Sequence, residues 1–141
     1  MANKNIPEVG EIFKGYIPGV RKIAHVSFGV ASASPDVSVG ETGVYELVNV
    51  TVPVVVFQTW TQVEEAFTTS VTATIGDTGS AARYGNDTGM NIAASGAIFV
   101  IGAMTVPALD ATGIPINVTI GGATVAAGLA HVYIEYAELL D

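Results

Sequence analysis

Cysteine is missing altogether from the 141 residues. That removes disulfides, thiolate metal sites and a cysteine nucleophile in one step, so stability has to come from packing or from association. Charge is scarce as well: only 13% of residues are Asp, Glu, Lys or Arg, against roughly 25% in ordinary soluble domains. A surface so short of charge is built from Thr, Ser, Gly and Asn, or is covered in part by partners, because large bare apolar patches are rare on monomers. Long apolar runs are missing too. VPVVVF (Val52 to Phe57) and AIFVIGAM (Ala97 to Met104) fall far below the roughly 20 residues a membrane-crossing helix needs. They read as buried strands, and no membrane partner is expected. The opening MANKNIPEVGEIF has no apolar core followed by a small-residue cleavage site, which predicts assembly in a cytoplasm.

What is present suffices for one domain, since by size scaling such a chain buries roughly 68% of the surface its unfolded form exposes. Half of the residues are hydrophobic and the net charge is −8, unevenly spread. Residues 1–22 hold Lys4, Lys14, Arg21 and Lys22 against Glu8 and Glu11, a net of +2. From residue 23 onward a single basic residue, Arg83, faces eleven acids, a net of −10. An acidic body repels phosphate, so no nucleic-acid partner is expected, whereas a basic leader suits an acidic protein surface. The leader is broken by Pro7, Gly10, Gly15, Pro18 and Gly19, yet it carries Ile6, Val9, Ile12, Phe13, Tyr16 and Ile17. That is too apolar for a plain disordered tail. It reads as an N-terminal arm, residues 1–21, lying against its own domain or a neighbouring subunit and preceding a sandwich domain over residues 22–141. A solvated terminus is the plainer alternative.

Beyond the arm, apolar residues alternate with a period of two, the signature of strands. In KIAHVSFGV, Ala24, Val26, Phe28 and Val30 share one face. VYELVNVTVPVVVF is long for one strand, and Pro53 cannot donate to a ladder, so a break, bulge or edge is expected there. QTWTQVEEAF, TSVTATI, AIFVI, PINVTI (Ile116, Val118 and Ile120 on one face) and AHVYIEY (Val132, Ile134 and Tyr136 on one face) complete the set. A one-turn helix is expected around residues 91–95. The class is all-β: about eight strands in a two-sheet antiparallel β-sandwich, jelly-roll-like, ahead of a closed barrel.

Asp-Thr-Gly occurs at Asp77 and again at Asp87. The tripeptide marks aspartic proteases, in which two carboxylates share one proton and activate water. Here Gly76 stands where that pattern has an apolar side chain, and two copies ten residues apart are too close to come from two lobes, leaving only a retroviral-type homodimer, for which no flap hairpin is evident. Acid-Thr-Gly also ends a segment at Glu41-Thr42-Gly43 and, stretched, at Asp110 to Gly113. An acid that accepts backbone N–H groups at the start of a turn, with glycine at its end, explains all of them. A calcium loop built on Asp77, Asn86 and Asp87 matches the spacing of neither the EF-hand nor the glycine-rich nonapeptide repeat. Neither metal nor cofactor is expected. What remains is a polar loop from which Arg83 and Tyr84 could make contacts.

His25 and His131 sit in separate strands with no Gly-x-Ser-x-Gly elbow to serve, so they read as ordinary strand residues and no enzymatic activity is expected. Trp60 shares a face with Gln58, Gln62 and Glu64, an arrangement that suits a subunit contact or, alternatively, stacking against a sugar or receptor.

From about Val50 onward the chain resembles small tailed-phage virion structural proteins. The resemblance is carried by VTATIGDTGSAARYG (Val71 to Gly85) and by GLAHVYIEYAEL (Gly128 to Leu139). It implies a virion location and a capsid decoration, cement or head-fibre subunit that binds the major capsid protein, commonly as a homotrimer. The arm lies outside the resemblance, but its mix of basic and apolar residues leads to expected partner contacts from Lys4, Ile12, Phe13, Lys14, Tyr16, Arg21 and Lys22, joined on the body by Trp60, Arg83 and Tyr84.

Overall fold

The computed structural model describes residues 21–84, 90–101 and 114–138. Among these, nine strands follow one another: β1 (Lys22–Gly29), β2 (Val37–Ser38), β3 (Gly43–Val50), β4 (Val54–Glu65), β5 (Thr72–Gly76), β6 (Met90–Asn91), β7 (Ile98–Ile101), β8 (Ile114–Gly121) and β9 (Leu129–Glu138). A 3-10 turn over Ala31–Ala33 precedes β2.

The pairing nests. β1 pairs with β9, β3 with β8, β4 with β7 and β5 with β6, every pair antiparallel. The described strands thus form one long ribbon doubled back on itself, first against last. Lateral pairing of β4 with β9 and of β5 with β8 rolls that ribbon into two sheets. Their orders are β2-β1-β9-β4-β7 and β3-β8-β5-β6, and the two-sheet, mostly antiparallel β-sandwich expected from the strand count is what forms. Among the described strands only the two-residue β2, parallel to β1, stands outside the nesting.

The core lies between the sheets. Ile116, Val118 and Ile120 of β8 and Val132 and Ile134 of β9 are at most 2% exposed, so the alternation read from the sequence does face inward there. Strand β3 ends at Val50 and β4 begins at Val54, with the break at Pro53 as its missing N–H requires. VVVFQTW is continuous, however, so the tryptophan segment extends β4 rather than forming a new strand. Two irregularities, between Val56 and Gln58 and between Val63 and Glu65, keep this twelve-residue strand in register with β9. A third, between Glu46 and Val48, switches the inward face of β3: Tyr45 faces the core while Val44, 64% exposed, faces out. Residues 91–95 do not form the expected helical turn. Asn91 ends β6, and a turn at Ala94 to Gly96 leads into β7.

Candidate functional site

Two polar constellations emerge from this frame, one inside the Asp-Thr-Gly turn and one on the outer face of the five-stranded sheet. In the first, the chain leaves β5 at Gly76 and reverses, with Asp77 and Ser80 exchanging backbone hydrogen bonds. The Asp77 carboxylate, whose side chain is fully buried, organises the reversal. Oδ1 accepts from the backbone N–H of Gly79 at 2.9 Å and of Ser80 at 3.1 Å. Oδ2 accepts from the Tyr84 hydroxyl at 2.9 Å and lies 2.8 Å from Arg83 Nε. The Arg83 contact is too bent for a hydrogen bond, so it acts through charge. Burial, followed by the hydrogen bond donated to Asp77, pushes the Tyr84 phenol well above its ordinary range.

Gly76 is dictated by the same turn, because a Cβ there would stand 2.1 Å from the Ser80 carbonyl oxygen. The residue that departs from the protease pattern is the one the reversal requires. A catalytic carboxylate needs a water and a second carboxylate, whereas both oxygens of Asp77 are engaged by donors. The turn reading therefore holds at Asp77, and the calcium reading loses its first ligand. At Glu41 the device differs: its backbone carbonyl accepts the Tyr45 hydroxyl at 2.7 Å. Asp87 and Asp110 lie outside the described residues.

Tyr84, expected as a contact on an exposed loop, is instead 2% exposed and belongs to the core. Its backbone N–H donates to Ile75, and its carbonyl accepts the Thr59 hydroxyl. Arg83, expected as a free contact, is turned onto Asp77.

The second constellation is built by strand register. His25, Tyr133 and Trp60 are direct cross-strand partners on β1, β9 and β4. Their rings form a row, His25 to Tyr133 at 4.7 Å and Tyr133 to Trp60 at 5.2 Å, each stacked within 20°. In the next row His131 Nδ1 lies 2.8 Å from His25 Nε2, and His131 Nε2 lies 2.6 Å from Glu64 Oε2. A carboxylate only accepts, so His131 Nε2 donates to Glu64, while the bond between the two rings takes its direction from their tautomers. Ser27, the hydroxyl nearest in sequence, is held by Asp36: its backbone N–H and Oγ both reach Asp36 Oδ2, at 2.9 and 3.1 Å. Those two bonds hold the Asp36 carboxyl below its ordinary range.

Ile23 and Ile98, 58% and 59% exposed, flank the aromatic row. Gln58 binds Glu135 at 3.3 Å, and Glu135 also receives Arg21, whose guanidinium lies 4.0 Å over the Phe57 ring. Lys22 Nζ stands 3.4 Å from Glu138. Arg21 and Lys22 are thus matched locally. Lys4, Ile12, Phe13, Lys14 and Tyr16 lie outside the described residues. The histidine pair escaped sequence reasoning because its members are 106 residues apart; only the pairing of first strand with last brings them together. Among the described residues no group of three His, Cys, Asp or Glu is arranged to hold a metal ion.

No protein-family profile matches the chain, and no curated protein does. Solved structures do. A chain of the cyanophage Pam1 capsid asymmetric unit superposes with a TM-score of 0.57 at 19% identity, covering 85% of this chain and 86% of that one. A chain of the acidic stable capsid of Helicobacter pylori bacteriophage KHP30 gives 0.55 at 11% identity, over 84% and 87%. What is shared is the fold. Both neighbours come from phage capsids, the class to which the sequence resemblance pointed, and the coverage makes each nearly equal to this chain in length.

Proposed function

We propose that the protein is a non-enzymatic structural component of a tailed-phage virion: a capsid decoration, cement or head-fibre subunit that binds the major capsid protein and stabilises the shell as a homo-oligomer, with three copies as the expected number. The observation that carries this reading is the rolled-ribbon fold, shared over more than four-fifths of the chain with two phage capsid chains. The outer face of the β1-β9-β4-β7 sheet supports it, since half-exposed stacked aromatics flanked by isoleucines are the composition that interfaces favour. The acidic body and low charge suit an object that meets protein rather than genome.

Adding the purified protein to shells assembled without it tests the reading. Cryo-electron microscopy is expected to show ordered density on the shell lattice, and decorated shells should resist heating better than bare ones. Particles that never retain the protein, or bare shells of equal resistance, would refute it. The Trp60–Tyr133–His25 row also favours a second reading, a carbohydrate- or receptor-binding tail module, because stacked rings beside Gln58, Gln62 and Glu64 could grip a sugar. Under that reading Trp60→Ala abolishes glycan binding with assembly intact, and a blank glycan array discards it.

A further inference from the structure

The two sheets part at one end of the sandwich. There a cavity of about 200 Å³ opens between β1, β3, β4, β8 and β9, lined by Ala24, Val50, Val54, Ile116, Ile134 and Tyr136 among others. The walls are apolar, and several belong to the core only in part: Ala24, Val48, Val50 and Tyr136 pack on it while remaining half-exposed. Val52, in the turn that forms the lip, is 45% exposed. Protein interiors are ordinarily packed to crystal density, so an apolar notch at the end of an otherwise closed core calls for side chains to fill it.

The N-terminal segment emerges at that lip. Lys22 pairs with Tyr136, a wall of the cavity, and its ammonium holds Glu138, another lining residue, at 3.4 Å. Residues 1–20 therefore begin beside the opening, and five extended residues reach about 16 Å. Their composition fits an apolar seat. With Arg21 and Lys22 matched to Glu135 and Glu138, the segment holds two lysines and two glutamates, no net charge, and the apolar residues Phe13, Tyr16, Ile17 and Val20 nearest to Arg21 in sequence.

We propose that this notch is the seat of the chain's own N-terminal segment, with Tyr16 and Ile17 completing the core at that end of the sandwich. The arm is then continuous with the domain at its root, and Lys4, Ile12, Phe13 and Lys14 remain for a partner. Docking by the same segment of a second copy is the rival occupant, and filling from another part of the chain is the third.

The absence of cysteine makes the test clean. Single variants Asn3→Cys, Ile17→Cys and Val52→Cys are made in the full chain, checked for native circular dichroism, and labelled with a maleimide at low protein concentration. Ile17→Cys and Val52→Cys are expected to label at least tenfold more slowly than Asn3→Cys. Joining positions 17 and 52 in the double variant with a short bismaleimide should give a linked monomer. Labelling of Ile17→Cys as fast as Asn3→Cys overturns the proposal, whether or not Val52→Cys is protected. Linked dimers in place of monomers overturn it in favour of exchange between copies.

Discussion

Replacing Asp77 with alanine tests the reading of the Asp-Thr-Gly turn most directly, because that carboxylate is fully buried and serves four groups. Gly79 and Ser80 are exposed, so water can replace their lost acceptor, at a cost of about 0.5–1.5 kcal/mol each. The Tyr84 hydroxyl has no such recourse: the residue is 2% exposed, and an orphaned buried donor costs about 1–3 kcal/mol. Arg83 is roughly one-third exposed, so solvent screening reduces its pairing to about 0.5 kcal/mol. The expected total is about 2.5–6.5 kcal/mol, a fall in Tm of roughly 10–20 °C for a chain of this size. Urea unfolding followed by the single tryptophan, Trp60, reports it.

A double-mutant cycle with Tyr84→Phe should return a coupling of about 1–2 kcal/mol. Asp77→Asn keeps a carbonyl for the turn and loses only the charge, so it is expected to cost about half as much as alanine. A catalytic aspartate would behave in the opposite way, with stability kept and an activity lost in the asparagine variant. An Asp77→Ala loss below about 1 kcal/mol, within the range of ordinary substitutions, would refute the assignment of the carboxylate as the organiser of the turn.

Gly76→Ala should be severe, about 3 kcal/mol or an insoluble product, because the new Cβ meets the Ser80 and Ala81 backbone at 2.1–2.4 Å. Gly79→Ala, whose Cβ meets the movable end of Arg83 at 2.8 Å and Asp77 Oδ1 at 3.3 Å rather than backbone, should cost less, about 1 kcal/mol, and equal losses would sink the distinction. Asp36, whose carboxyl is lowered by its bonds from Ser27, contributes stability above its unfolded value near 4 that disappears as pH falls through the folded value. The wild type should therefore exceed Asp36→Asn in Tm at pH 6 and converge with it in strong acid; a gap that persists there contradicts the reasoning. Tyr84, raised by burial and by Asp77, contributes stability that is intact below its unfolded value near 10 and declines above it. Tyr84→Phe should flatten the alkaline limb of the Tm profile, and parallel limbs would count against it.

Strand periodicity was legible because it is local: each residue of β8 or β9 reports its own face through the pleat, and Ile116, Val118, Ile120, Val132 and Ile134 all face inward. The irregularity between Glu46 and Val48 was not legible, since a bulge is a relation to a partner strand. Pro53 announced its break through chemistry of its own. Tyr84 was misplaced because its polar neighbours suggested solvent, whereas a backbone bond to Ile75 folds it back over β5. The candidate face was half visible: Gln58, Trp60, Gln62 and Glu64 alternate within one strand, but Tyr133 and the two histidines join them only through the register of β1, β9 and β4.

The charge of the leader reads differently once the fold is known. Its net of +2 resides wholly in Arg21 and Lys22, because Lys4 and Lys14 are cancelled by Glu8 and Glu11. Those two cations stand 3.3 and 3.4 Å from Glu135 and Glu138 of β9, and Arg21 is further held over Phe57. They fasten the beginning of β1 to the end of β9, so the positive charge is consumed at the root of the arm. An attachment made by residues 1–20 must then draw on Ile6, Val9, Ile12 and Phe13 more than on Coulomb attraction. Exposed ion pairs weaken as the screening length shrinks from above 10 Å to a few ångströms, whereas apolar burial does not. Attachment to the shell should therefore change little between about 0.05 and 0.5 M salt. A steep loss across that range, measured by cosedimentation with shells, would return the arm to an electrostatic role and remove apolar burial as its basis.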